Sequence, residues 1–164
     1  PISSAMAQAS LEMGFSRDQV DGIRVASLLH DIGKIYVPAE ILAKPGKLTD
    51  MEFGIMKTHP KVGYEILKKI SFPWPVAEVV LQHHERLDGS GYPSGLSEEE
   101  ILPGAKILAV ADVVEAMSSH RPYRASLGLK PALEEISKNR KILYDPDVVG
   151  ACQVLFHKEN FTFD

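Results

Sequence analysis

The chain carries a single cysteine, Cys152, in 164 residues. One thiol excludes an internal disulfide and any zinc site built on thiolates. Set in the run VVGACQVLF, Cys152 reads as a small buried hydrophobe. No apolar run approaches the roughly 18 residues needed to cross a bilayer, and no basic-then-apolar leader opens the chain. The first residue is Pro1 rather than Met, so the natural start is expected to lie upstream. Positive charge is not in excess either: 18 Lys and Arg against 22 Asp and Glu give a net charge of −4. That balance argues against a broad phosphate-binding surface for a DNA or RNA polymer. An anionic ligand would have to be met locally, by metal ions or a few placed Lys and Arg side chains. Period-two alternation, internal repeats and low-complexity linkers are also missing. What remains, 45% apolar and 24% charged, is an ordinary globular composition, and the length suits one compact domain over residues 1–164.

The punctuation is helical nearly throughout, so an all-α helical bundle is expected. Ser3 to Met13 reads as a short helix with Gly14 placed for a left-handed C-terminal cap. Ser16 and Gln19 form a capping box that opens a helix running to about Asp31. Along it Val20, Ile23, Ser27 and His30 recur at steps of three and four, which puts His30 on the inward stripe. Thr49 and Glu52 make a second box, starting a helix toward His59 that Pro60 interrupts or restarts. Pro75 suits the first turn of a helix ending at His83-His84-Glu85. Ser97 and Glu100 read as a third box, and Pro103-Gly104 as a break. AKILAVADVVEAMSS is then a helix apolar on nearly every face, followed by LKPALEEISK and a final helix after Pro146.

Asp112 lies on that apolar helix, where an ionised carboxylate is costly unless it pairs with a cation or binds a metal. An ion pair with an Arg or Lys would explain it alone. The histidines favour the metal. His30-Asp31 closes one helix, His59 precedes Pro60 at a helix break, and His83 and His84 end another before the glycine-rich DGSGYP loop. Adjacent helical residues lie about 100° apart, so His83 and His84 can both face inward only at a helix end beside a cavity. His120 and His157 do not fit this pattern and read as solvated. Imidazole with carboxylate suits iron, manganese or zinc rather than magnesium or calcium. Two ions sharing a bridging aspartate is the economical arrangement. Such a pair lowers the pKa of a bridging water and clamps phosphoryl oxygens, which is chemistry for hydrolysing a phosphate ester.

HDIGK, the HP-x-x-G of HPKVG, HHERLDGSGYP, the VADVVEA helix and RPYR together resemble the HD-GYP family, a branch of the HD-domain phosphohydrolases. The resemblance covers about Leu28 to Val149. It implies an all-α HD-domain-like fold and hydrolysis of cyclic di-GMP to linear pGpG or onward to GMP, with related cyclic dinucleotides as substrates of some members. Matched by position, it implies His30, Asp31, His59, His83, His84 and Asp112 as ligands of two or three divalent ions, with Asp31 bridging. Iron or manganese is expected, with zinc as the alternative. Lys34 is expected beside the ions, holding the scissile phosphate or leaving oxygen, and Arg121 and Arg124 hold substrate phosphates. Asp88, Gly89, Gly91, Tyr92 and Pro93 form the loop at the rim, which the family also uses to contact diguanylate cyclase domains.

The resemblance also implies one more ligand, a His or nearby Glu, in an H-x-x-R-V-A-like segment before Pro1, so the N-terminal part of the domain is expected to be missing. An upstream regulatory domain and a bacterial cytoplasmic location are expected, with no membrane contact. The competing expectation is a catalytically inactive receptor of cyclic di-GMP, or a protein-interaction module, with the same fold.

Overall fold

The computed structural model describes residues 6, 10–119 and 126–158. Described residues 10–12 are helical and end in a Schellman turn: Phe15 N donates to Ser10 O and Gly14 N to Leu11 O, each at 3.1 Å, with Gly14 at φ +89°. Eight further α-helices and one 3-10 turn follow, and no strand occurs among the described residues. The all-α expectation is therefore met.

Helix α1 (Arg17–Leu29) starts at the Ser16 capping box. Gln19 N donates to Ser16 Oγ and Ser16 N donates to Gln19 Oε1. It ends two residues earlier than expected, with His30 as its C-cap, and the chain tightens into a 3-10 turn at Ile32–Tyr36. After α2 (Ala39–Leu42), the Thr49–Glu52 box opens α3 (Asp50–Met56). The restart at Pro60 gives α4 (His59–Leu67), where proline in the first turn lacks an N–H the helix could not have used. Next come α5 (Val76–Gln82), α6 (Pro103–Ser118), α7 (Leu129–Lys138) and α8 (Pro146–Lys158).

Three local readings change. Pro75 is the N-cap of α5 rather than part of its first turn, and α5 stops at Gln82. Ser97 and Glu100 do not begin a helix. Glu100 accepts from Ser97 N at 2.9 Å and from Ser97 Oγ at 2.7 Å, but the chain makes only a turn before Leu102. Pro103-Gly104 is the first turn of α6 rather than a break, because proline's fixed φ already suits position N1. The amide of Leu102, the residue before that helix, donates to the Gln82 side chain at 2.7 Å, tying the start of α6 to the end of α5.

Helix α6 is central, with Ala105, Ile107, Leu108, Ala109, Val110, Ala111 and Val114 buried. Ile107, Val110 and Val114 pack with Ala132 and Ile136 of α7 and with Val148, Val149 and Cys152 of α8. On its other side Ala105 and Leu108 meet Ala26 of α1, Leu67 of α4, and Val76, Val79 and Val80 of α5. Each fully buried Val, Leu or Ile contributes about 1.5–3 kcal/mol, so the two clusters fix α6 against every helix that carries a site residue. Cys152 is buried as expected, and burial pushes its thiol pKa up to about 12.

One contact decides how the site assembles. A Cβ on Gly33 would lie 1.9 Å from His59 O and 2.7 Å from Gly63 N. The 3-10 turn therefore lies backbone to backbone on the first turn of α4. That approach brings Asp31 to His59.

Candidate metal centre

The six expected ligands come from five elements of the fold. His30 caps α1, Asp31 opens the 3-10 turn, His59 begins α4, His83 caps α5 with His84 beside it, and Asp112 lies within α6. They converge. His30 Nε2 is 3.6 Å from Asp31 Oδ2 and 3.7 Å from Asp112 Oδ1. His59 Nε2 is 3.6 Å from Asp31 Oδ1, and His84 Nδ1 is 4.0 Å from Asp112 Oδ2. The His83 and His84 rings are 4.0 Å apart by centroid, with His59 5.0 Å from His84 and His30 5.3 Å from His83. Among the described residues Asp112 thus faces histidines, with no Arg or Lys at ion-pair distance to make a plain ion pair.

Backbone carbonyls orient three of the rings. His30, His59 and His83 each place Nδ1 on the carbonyl three residues earlier: Ser27 at 2.6 Å, Met56 at 2.7 Å and Val80 at 2.6 Å. A carbonyl accepts only, so each Nδ1 carries a proton and donates; the Nε2 atoms of neutral His59 and His83 then present lone pairs, while His30 Nε2 faces the Asp31 and Asp112 carboxylates. His59 Nε2 and His83 Nε2 are fully buried and have no hydrogen-bond partner among the described residues. A buried polar atom without a partner costs about 1–3 kcal/mol unless something else satisfies it. Ring fixation by a backbone carbonyl is the usual outer support of a metal-ligating histidine. His59, His83 and His84 also offer ligand atoms that all lie within 4.8 Å of one another, so the cluster can hold a metal ion. The donor set, nitrogen and carboxylate oxygen without sulfur, fits a borderline divalent ion.

Protonation favours the same use. Burial lowers His83 to about 4 and His84 to about 2, so both rings are neutral donors near pH 7. Burial also lowers His59. Burial would depress His30 too, but its Asp112 contact, the Asp31 charge and the Ser27 carbonyl outweigh that and raise it. For Asp112, burial opposes ionisation, yet the His30 contact and the neighbouring rings of His84 and His83 win and hold its carboxyl below the ordinary range.

The remaining expected residues frame this cluster. Lys34 Nζ lies 2.6 Å from Asp31 Oδ2, one turn along. Tyr92 stacks on His84, with centroids 4.7 Å apart and planes 25° apart. In the loop, Asp88 Oδ1 accepts from Ser90 N at 3.0 Å and from Ser90 Oγ at 2.6 Å. Gly89 has φ +77°, a left-handed conformation that suits glycine. Gly91 is needed for a different reason: a Cβ there would lie 2.4 Å from Arg86 N and Glu85 Cα. The Tyr92–Pro93 peptide is cis. Arg121, Arg124 and His120 lie outside the described residues, as does the side chain of His157. No helix among the described residues is long and apolar enough to cross a membrane.

A family model described as the HD domain matches residues 2–148. The chain belongs to the HD-domain family. This HD domain is 50% identical over 142 residues to a cyclic di-GMP phosphodiesterase of Thermotoga maritima, covering 85% of this chain and 39% of that protein. It is 46% identical over 142 residues to a cyclic di-GMP phosphodiesterase response regulator of Xanthomonas campestris, covering 85% of this chain and 38% of the relative. The chain thus spans about two fifths of the length of these relatives. An HD-GYP protein from Bdellovibrio bacteriovorus superposes with a TM-score of 0.78 at 18% identity, over 95% of this chain and 50% of that one, which shows a shared fold.

Sequence reasoning missed Glu85. It is 2% exposed and accepts from Ser94 N at 2.7 Å through Oε1 and from Leu96 N at 3.0 Å through Oε2. With Tyr92 N donating to His84 O at 3.2 Å, this carboxylate ties the far side of the HD domain's GYP loop onto the histidine pair. An acid directly after two inward histidines, at a helix end, was the available signal. Gly33 and Gly63, within HDIGK and HPKVG, were likewise read past.

Proposed function

We propose that this chain is the hydrolytic HD-GYP unit of a metal-dependent phosphodiesterase that opens cyclic di-GMP to linear pGpG or onward to GMP. The observation that carries the reading is the pair of buried imidazole nitrogens of His59 and His83, without a hydrogen-bond partner among the described residues and set among two carboxylates and two further histidines. The naming of both curated relatives as cyclic di-GMP phosphodiesterases supports the choice of substrate.

In this reading His30, Asp31, His59, His83, His84 and Asp112 would hold two divalent ions, iron or manganese, with Asp31 as the candidate shared ligand. Such ions, when bound, supply Lewis-acid polarisation of a phosphoryl oxygen and acidify water to a nucleophile near neutral pH. Lys34, already beside Asp31, sets a fixed positive charge where a scissile phosphate or leaving oxygen develops negative charge. Arg121 and Arg124 orient the second phosphate through their planar guanidinium forks. Tyr92 walls the histidine pair on its loop side and keeps solvent off His84. The loop Asp88–Pro93 would also meet a diguanylate cyclase domain, and a regulatory domain upstream in a cytoplasmic protein would set the activity.

Elemental analysis of the full-length protein, joined to chromatography of cyclic di-GMP incubated with it, tests this. Iron or manganese together with pGpG or GMP is the expected result. Bound metal without either product would replace the enzyme by a receptor of the same dinucleotide. Asp31→Ala should abolish both metal occupancy and turnover, and retained activity would remove Asp31 as the shared ligand.

A further inference from the structure

Beside the cluster, on the outer side of Tyr92, lies a second cleft of about 310 Å³ whose lining includes Lys57, Thr58, Lys61, Val62, Tyr92 and Pro93. No carboxylate among the described residues lines it. Lys34, Lys44, Lys68 and Lys106 each lie within ion-pair distance of an Asp or Glu. Lys57 and Lys61 have no such partner among the described residues. Lys57 instead rests over aromatic faces, with Nζ 5.1 Å from the Phe53 centroid and 6.0 Å from that of Tyr92. A ring face holds an ammonium in place without neutralising it. Two unneutralised ammonium groups sharing one concave wall repel each other and focus positive potential there. An anionic ligand relieves that cost.

Tyr92 joins this cleft to the metal cluster, since it lines one and stacks on His84 of the other. Thr58, next to His59 in sequence, lines the cleft as well. A ligand with one phosphate at the cluster could therefore extend a second group past Tyr92 onto the lysines. A cyclic dinucleotide carries only phosphodiesters, with one negative charge each. Cutting one of them leaves a linear dinucleotide with a single remaining diester and a terminal phosphomonoester of about −1.5 to −2 charge near pH 7. When the remaining diester occupies the cluster for a second cut, the terminal phosphate needs a separate anion site. Two lysines match its charge.

We propose that the Lys57–Lys61 cleft is a subsite for the terminal 5′-phosphate of a linear dinucleotide, seating it for cleavage of its remaining phosphodiester. The proposal rests on the dinucleotide reading above and adds to it a residue-level basis for handling the linear product. The test uses the full-length metal-loaded protein and two linear diguanosines whose scissile ester oxygen is replaced by methylene, one bearing a 5′-phosphate and one lacking it. Calorimetry at low ionic strength should show the phosphorylated ligand binding about tenfold tighter, the increment of one or two charge-assisted contacts. In Lys57→Gln/Lys61→Gln that preference should fall below about twofold. Lys68→Gln, which removes a lysine paired elsewhere with Glu65, should leave it intact. Equal binding of the two ligands to the wild-type protein, or a preference untouched by the double substitution, overturns the subsite. Cyclic di-GMP hydrolysis measured in parallel separates the two readings: cleavage without 5′-phosphate discrimination rejects the subsite alone. Discrimination without cleavage upholds the subsite and rejects the phosphodiesterase.

Discussion

Replacing the buried Glu85 by alanine should loosen the GYP loop. The substitution removes the acceptors of two backbone amides, Ser94 N at 2.7 Å and Leu96 N at 3.0 Å. Hydrogen bonds to a charged group contribute about 1.5–3 kcal/mol each, so the pair sums to about 3–6 kcal/mol before relaxation. Both amides belong to a loop that can turn outward and recover solvent partners, so the lower end, about 3 kcal/mol, is the relevant figure. At about 1.4 kcal/mol per factor of ten, that is roughly a hundredfold faster hydrogen exchange at Ser94 and Leu96. Glu85→Gln keeps the shape and one acceptor oxygen but turns an N–H toward the other amide, so its exchange should fall between wild type and alanine. Exchange is read residue by residue by NMR, with thermal unfolding and bound metal measured on the same samples. Tyr92 is drawn onto His84 by this same loop, so metal content should fall in the same order as protection. Protection at Ser94 and Leu96 within about twofold of wild type in Glu85→Ala would refute the reasoning.

Gly33→Ala drives a methyl to 1.9 Å from the His59 carbonyl and should cost more than about 3 kcal/mol, visible as a large drop in melting temperature with loss of bound metal. In chelator-treated protein, His83 is lowered to about 4, so unfolding takes up a proton below about pH 6.5. Stability from that group is present above the unfolded value and is lost as pH falls toward 4, by roughly 3 kcal/mol, with losses of the same sign from the lowered His84 and His59 and a contribution of opposite sign from the raised His30. Urea melts across that range check the slope. Metal occupancy should also fall on acidification, beginning near His30, where protons compete first. Cys152 should resist thiol reagents in the native protein and react only on unfolding, because its thiol is buried and its pKa is pushed up to about 12.

Much of the helix layout was legible because it rests on local chemistry. The Ser16 and Thr49 capping boxes and the Pro60 restart all form where the residues place them. The exception, Ser97 and Glu100, shows the limit of a local rule. The side-chain half of the box closes, but Pro103 begins the helix six residues later. Identity of the candidate ligands was legible too, since histidines beside carboxylates at helix ends have few other uses. Arg121 and Arg124, assigned by motif, lie outside the described residues and stand on the sequence alone.

By itself, the order of residues determined which groups could bind a metal and which helices would carry them, because side-chain chemistry and capping are properties of a few neighbouring positions. Only the tertiary structure decided that His59 and His83 would bury nitrogens with no hydrogen-bond partner among the described residues, in a cluster where His59 meets Asp31 and His30 meets Asp112. That outcome depends on Gly33 letting two backbones touch, on α6 being gripped from both sides, and on Glu85 reaching across nine and eleven residues to hold the loop. These are long-range packing relations, set by the space that other elements leave and not by the residues' own spacing.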